Sequence, residues 1–296
     1  MSRRLSILVY HRVLAQADPL LPELPDVRLF DRHMALLKRC FRVLPLSRAS
    51  EQLRLGTLPA RAACITFDDG YADNAIHALP ILQRHGLSAT FFIASDYLDG
   101  GQMWNDDVIA CVRHARQNVL HSGAPGCDAL LLHTLRHKRQ AIDQLLEALK
   151  YLPGAQRQTL ARRLAPARQE ELMMRSHQLR TLHAAGMEIG AHTASHPILA
   201  RQANTDAETD MARGKSALED LIQAPVTLFA YPNGKPGVDY DQRHVDIARR
   251  LGFTAAVSTE PGAAHAGSDP LQLPRYTPWE QDRLRFLYRL VASRRA

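Results

Sequence analysis

Short apolar runs alternate along this chain with stretches whose apolar residues recur at helical spacing, the pattern of a parallel sheet wrapped by helices. Leu5 to Tyr10 reads as a first strand, and residues 30–40 as a helix with Phe30, Met34 and Leu37 on one face. Arg42 to Leu46 follows as a strand and Ser47 to Leu55 as a short helix capped by Ser47. Ala62 to Phe67 has the make-up of a buried strand, and it runs straight into Asp68-Asp69-Gly70. Two carboxylates at the polar tip of a buried strand mark an active-site position in α/β folds. Asp73 to His85 then reads as a helix closed by Gly86, and Ser88 to Ala94 as another strand.

Residues 105–180 break this rhythm. They hold helix-period segments, breakers at Gly123 to Gly126, Pro153-Gly154 and Pro166, and no convincing strand. The expectation is a helical insertion acting as a lid or an interaction surface. Alternation resumes with Met187 to Ala191 as a strand, Thr205 to Gln223 as a helix and Val226 to Tyr231 as a strand. A helix near Asp241 to Leu251 and a strand from Phe253 to Val257 follow. In the tail, Glu280 to Ala292 places Leu284, Leu287 and Val291 on one helical face.

Composition narrows the class. A length of 296 residues allows two domains but equally suits one α/β barrel with an insertion, and the pattern favours a single catalytic domain over residues 1–296. With 46% hydrophobic and 23% charged residues there is material for a core and no signature of disorder. The net charge is +7, yet the basic residues are scattered (Arg136 to Arg139, Arg162-Arg163, Arg294-Arg295) without aromatic interleaving, which argues against nucleic acid as a partner. Cys40, Cys64, Cys111 and Cys127 form no C-x-x-C pair, which fits a reducing compartment. The apolar run after Met1-Ser2-Arg3-Arg4 is stopped by Tyr10-His11-Arg12 after about five residues, short of the roughly 7–15 of a signal segment. The resulting expectation is a cytoplasmic protein. Arg283, Arg285 and Arg289 beside the apolar face of the tail suggest peripheral contact with the inner face of a membrane.

Chemistry enters with His192-Thr193-Ala194-Ser195-His196, directly after the strand Glu188 to Ala191. Pro197 disfavours a regular helix through His196, so the two imidazoles leave the strand end on a turn, from which they can converge on one ion. His133 and His137 share the spacing but lie in a basic helical stretch and read as surface residues. Two imidazoles and one carboxylate leave positions open on a divalent ion, as a hydrolytic metal site requires. One member of the Asp68-Asp69 pair can then ligate and the other act as general base. The competing reading is an acidic pair that only caps the following helix.

Thr66-Phe67-Asp68-Asp69-Gly70 followed by His192-Thr193-Ala194-Ser195-His196-Pro197 resembles the first two motifs of the polysaccharide deacetylase family, carbohydrate esterases built on the chitooligosaccharide deacetylase homology domain. The likeness runs from Leu8 to about Pro278. It implies a distorted, TIM-like (β/α) barrel of seven strands and metal-dependent removal of acetyl groups, usually from N-acetylated amino sugars. By the same resemblance Asp69, His192 and His196 bind a divalent metal, zinc first and cobalt, nickel or manganese as alternatives, and Asp68 is the base. The third motif, Phe229-Ala230-Tyr231-Pro232-Asn233-Gly234, has Ala230 where many members carry the arginine that orients the base. Arg275, at another predicted strand end, is the candidate to replace it. The late Leu-x-His motif that supplies the general acid is absent after residue 265, but Leu8-Val9-Tyr10-His11 fits the first-strand position of circularly permuted, exopolysaccharide-associated branches, which makes His11 the candidate acid. Tyr231 is expected on the oxyanion side, Pro232 against the substrate, and Trp104 and Asn105 as a wall of the cleft, with two readings open for Trp104: stacking on a sugar, or the commoner role of a core tryptophan.

The implied substrate is an N-acetylated or O-acetylated saccharide, free or lipid-linked, in polysaccharide or glycolipid biosynthesis. Two alternatives stay open: a metal-dependent amidase of the same fold acting on a small non-sugar amide, and a non-catalytic carbohydrate- or lipid-binding barrel.

Overall fold

The computed structural model describes residues 4–165 and 170–293. Pro166 and Arg294-Arg295, noted above as a breaker and as basic residues, lie outside the described residues. In chain order the strands are β1 (Ser6–Tyr10), β2 (Arg42–Val43), β3 (Ala62–Phe67), β4 (Thr90–Ile93), β5 (Val119–Leu120), β6 (Leu130–Leu131), β7 (Glu188–Ala191), β8 (Leu228–Ala230), β9 (Ala255–Pro261) and β10 (Leu273–Arg275). The chain divides into two compact units: residues 1–16, 23–99 and 173–296 form one, residues 17–22 and 100–172 the other.

The first unit is a parallel sheet in the order β1-β3-β4-β7-β8-β9-β10, with β2 covering the start of β3 on the edge that β4 completes. Tyr276, just past β10, brings the sheet back on itself: its N–H donates to Ile7 O at 2.8 Å and its carbonyl accepts from Val9 N–H at 3.0 Å. Seven strands thus nearly close into a distorted (β/α) barrel, with helices around it.

Side chains follow the two-residue period of a strand. Leu5, Ile7, Ala62, Cys64, Leu228, Ala230, Ala255, Val257 and Leu273 fall in one buried cluster, which fills the barrel. Leu8, Ala63, Ile65, Phe67, Phe229 and Ala256 fall in the other, between sheet and helices. Small residues such as Ala62, Ala230 and Ala255 alternate there with larger ones such as Phe92, Leu228 and Leu273. The helix Leu46–Arg54 contributes Leu46, Ala49 and Leu53 to the interior cluster. Ser47 does not cap that helix. The Glu188 carboxylate does, accepting from Leu46 N–H at 2.6 Å and Ser47 N–H at 3.2 Å, while Thr90 Oγ1 donates to it at 2.7 Å. An anion at an exposed helix N-terminus gains both hydrogen bonds and the favourable end of the dipole.

The expected helix from Asp73 begins with a π-turn, Asn74–Ala78, continues as Leu79–His85 and is closed by Gly86 at φ 64°. The tail helix is Arg283–Ala292, but it buries a different face from the one expected: Phe286 and Leu290 are inside, while Leu284 and Val291 are exposed. On the buried face the His33 ring stacks on Phe286 at 4.1 Å, 7° from parallel, and Leu287 is half-buried against the same cluster.

The second unit is not purely helical. The helices Trp104–His114, Leu135–Lys150 and Gly154–Leu164 surround a cluster built on Val108, Val112, Leu145 and Leu149, but β5 and β6 form an antiparallel pair. Its limits also differ from residues 105–180, because Ser176–Ala184 packs in the barrel unit. All four cysteines are free thiols. Among the described residues no helix is long and apolar enough to cross a membrane.

One close approach fixes the segment after β7. The helix Asn204–Ile222 meets it at Gly214, where an added Cβ would lie 2.4 Å from Thr193 C and 2.7 Å from Ala194 N. Backbone atoms cannot move aside as a side-chain tip can, so Gly214→Ala is expected to lower stability by about 1–3 kcal/mol in denaturant unfolding. An unchanged unfolding midpoint would contradict this packing.

Candidate active site

Strand period decides where the first carboxylate points. Thr66 and Asp68 continue the interior row of Ala62 and Cys64, and Arg275 continues that of Leu273. At the carboxyl end of the barrel the two meet: Arg275 Nη1 donates to Asp68 Oδ1 at 2.8 Å and Nη2 to Oδ2 at 2.6 Å, a bidentate pair. Nη1 also donates to Thr66 Oγ1 at 3.2 Å and Nε to Ser258 O at 2.8 Å, so the guanidinium is held on all sides. Both side chains are buried. Burial pushes the Asp68 carboxyl up, but the charges of Arg275 and His192 outweigh it and hold the group below its usual range.

Asp69 leaves the strand pattern at once. Its φ of 76° and the 94° of Gly70 swing the chain through a left-handed turn, with Gly70 N–H donating to Asp68 O at 3.0 Å. That turn aims the Asp69 carboxylate at two imidazoles. His192 Nε2 lies 3.4 Å and His196 Nε2 3.3 Å from the same oxygen, Oδ1. The three ligand atoms lie within 4.8 Å of one another, and among the described residues they are the one such group of His, Cys, Asp or Glu. Burial pushes Asp69 up as well, but both histidines pull its carboxyl well below the usual value.

The histidine turn is built from within and without. Thr193 and His196 have φ of 61° and 52°, and Thr193 Oγ1 accepts from His196 N–H at 3.0 Å. Ser195 N–H donates to Asp210 Oδ2 at 3.2 Å, and Tyr97 donates its hydroxyl proton to Ser195 O at 3.0 Å. His192 Nδ1 sits 2.7 Å from Ala230 O. A carbonyl only accepts, so Nδ1 carries a proton, and Nε2 is the nitrogen that would offer a lone pair to an ion beside Asp69. An N, N, O set with a fixed tautomer and a charged carboxylate fits a divalent ion such as zinc.

His11 is the first residue beyond β1, half-buried, and its charge acts on both Asp68 and Asp69. The structure therefore gathers Asp68, Asp69, His192, His196, Arg275 and His11 at one end of the barrel. Tyr231 is placed otherwise than expected. It falls on the outward parity of β8, its hydroxyl donates to Leu271 O at 3.0 Å, its N–H to Val257 O, and its ring stacks on Tyr240 at 3.8 Å. Neither donor is left for an oxyanion. Pro232 is buried in the following turn, where its carbonyl accepts from Gly234 N–H at 2.7 Å. Trp104 and Asn105 open a helix of the second unit, where Trp104 packs against that unit's cluster with Arg157 over its ring at 5.2 Å. His133 and His137 also lie there, His133 exposed. Asp73, Asn74, Asp210 and Glu188 carry structural hydrogen bonds that the sequence reading missed; only an acid next to a predicted helix start hinted at any of them.

The model of the polysaccharide deacetylase family matches residues 56–256. YxkH of Bacillus subtilis (strain 168), provisionally named a polysaccharide deacetylase, is 22% identical over 263 residues, covering 88% of this chain and 66% of that protein. The chain thus spans just under two thirds of that relative's length. Among solved structures, the deacetylase PplD of Streptococcus pyogenes in complex with acetate is 19% identical, with 94% of this chain and 93% of that one covered at a TM-score of 0.65. IcaB from Ammonifex degensii is 17% identical, with 99% and 98% covered, also at 0.65. These likenesses show a shared fold.

The ion pair generates a test. Arg275→Ala strands a buried carboxylate and is expected to lower stability by about 3–5 kcal/mol in denaturant unfolding. Arg275→Lys keeps a charge but not the fork, and should fall between. Equal stability of all three proteins would mean that Asp68 is not held as described.

Proposed function

The chain belongs to the polysaccharide deacetylase family, and from that premise we propose that it is a metal-dependent hydrolase removing acetyl groups from an N-acetylated saccharide, or an O-acetylated one, in polysaccharide or glycolipid biosynthesis. The observation that carries this reading is the separation of two adjacent carboxylates at one barrel mouth. Asp69 faces two histidines, whereas Asp68 faces an arginine.

In this proposal Asp69, His192 and His196 hold the ion, zinc first among divalent metals. When bound it supplies a Lewis acid for the acetyl oxygen and acidifies a water. Asp68 takes the proton of the attacking water. Arg275 keeps it ionised and fixed in direction, and each carboxylate oxygen retains a second lone pair for that proton. As the C–N bond breaks, His11 gives a proton to the departing nitrogen, so that acetate and a free amine result.

The form of the substrate is proposed from a second observation. Four exposed large apolar residues, Trp279, Leu284, Tyr288 and Val291, are concentrated on the C-terminal segment. Beside them Arg283 and Arg285 are exposed without an ion pair among the described residues. Apolar side chains ringed by arginines suit the headgroup layer of an anionic membrane, which supports a lipid-linked saccharide as substrate. Since Phe286 and Leu290 are core, removing the helix would damage the barrel; Leu284→Asp with Tyr288→Asp is the cleaner test. Flotation with anionic vesicles should be lost in that variant, and equal flotation would refute the contact.

Activity is tested by acetate release from a panel of N- and O-acetylated saccharides, with added zinc or cobalt and chelator controls. Asp68→Asn should lower turnover by about 10²–10⁴ while retaining metal, and His192→Ala should lose metal. Normal turnover in Asp68→Asn would remove Asp68 as the base. Cleavage of small amides without acetate release from any sugar would favour the amidase.

A further inference from the structure

Two consecutive buried side chains that the mechanism leaves unused, Asp73 and Asn74, grip the segment that carries His11. Asn74 Nδ2 donates to His11 O at 2.9 Å and to Asp73 Oδ1 at 3.1 Å. Asp73 Oδ1 in turn accepts from Val13 N–H at 3.1 Å, and its Oδ2 accepts from Arg12 Nε at 2.8 Å. Arg12 is also held from its other side, with the guanidinium 4.9 Å from the Tyr71 ring centroid. Each residue of His11-Arg12-Val13 is therefore fixed by a partner 60 to 63 residues further on.

These partners stand on the loop that carries the carboxylates. Asp68 N–H donates to Tyr10 O at 3.0 Å, and Asn74 donates to the next carbonyl, that of His11. Asn74 is fully buried at the start of the π-turn, a local irregularity that is frequent near functional sites. A regular first turn would place the Asn74 amide differently. The backbone at His11 sets the Cα–Cβ direction from which its imidazole projects, and these two side chains hold that backbone. We propose that Asp73 and Asn74 are positioning residues for proton delivery: they fix the His11 backbone so that its imidazole faces the leaving nitrogen. This rests on His11 being the acid. It adds that acid, base and metal-holding carboxylate share one loop as their common frame.

Leaving-group chemistry separates this role from simple structural support. An N-acetyl group leaves as an amine and needs a proton as its C–N bond breaks, whereas an aryl acetate leaves as a stable phenolate and needs none. The zinc-loaded full chain is assayed on an N-acetylated amino sugar and on 4-nitrophenyl acetate, and the readout is the ratio of the two kcat/KM values. His11→Ala should lower the ratio by about 10²–10⁴. Asn74→Ala and Asp73→Ala should each lower it at least tenfold through kcat, with KM for the amide little changed. Asp73→Asn keeps an acceptor for Val13 N–H and should fall between. In the metal-free protein, hydrogen exchange at the Val13 amide should accelerate in Asp73→Ala, a readout independent of catalysis.

If His11→Ala lowers the ratio but Asn74→Ala and Asp73→Ala lose both activities equally with zinc retained, their role is structural and the proposal is overturned. If His11→Ala leaves the ratio unchanged, the acid assignment itself fails and the positioning role falls with it.

Discussion

A carboxylate sealed inside a barrel can stay ionised only beside a partner, because removing a lone charge from water costs several kcal/mol even after relaxation. Asp68 is such a group, and Arg275 is the partner. Arg275 also donates to Thr66 Oγ1 and Ser258 O, and Thr66 Oγ1 donates to Leu8 O at 2.8 Å. The network therefore binds β1, β3, β9 and β10 on the side where the sheet closes. Barrel closure and the ionisation of the carboxylate are properties of one set of hydrogen bonds.

The same constraint explains how two neighbouring aspartates acquire different surroundings. A strand that simply continued past Asp68 would send Asp69 outward into the helical layer, which is lined by Phe67, Phe91 and Phe30. The left-handed turn at Asp69 and Gly70 redirects the second carboxylate toward the histidines instead. That turn needs support, and it receives it on both sides: Ala94 N–H donates to Asp69 O at 3.3 Å and Met174 N–H to Gly70 O at 2.9 Å. The strained backbone lies where the chemistry is divided, and packing around it holds it there.

Strand positions and the barrel class were legible because a two-residue or 3.6-residue period is a local property of the chain. Asp68, Asp69, His192 and His196 were legible as motifs. Arg275 could be picked out as a strand-end cation, although only the fold brings it to Asp68. What escaped were partnerships across long stretches of chain. Ser47 looked like a helix cap, but the cap is Glu188, 141 residues away. In the tail helix two apolar faces compete at similar spacing, and Phe286 and Leu290 are buried against partners such as His33 that no local pattern reveals. Tyr231 belongs to a motif, yet strand parity turns its side chain away from the mouth. Strands of two residues such as β5 and β6 are too short to show any period.

Ala230, where the resemblance leads one to expect an arginine, is the instructive departure. Its side chain falls on the interior parity of β8, and its carbonyl accepts from His192 Nδ1. The position thus serves the histidine through its backbone whatever side chain it carries. The cation for Asp68 arrives from β10 instead, two strands further along the sheet order. Because the interior of a closed barrel is reached from every strand, the charge required beside Asp68 is fixed in space while its origin in the chain is free. A motif read in isolation would score this site as incomplete. The physical requirement, one buried cation in bidentate contact with Asp68, is met.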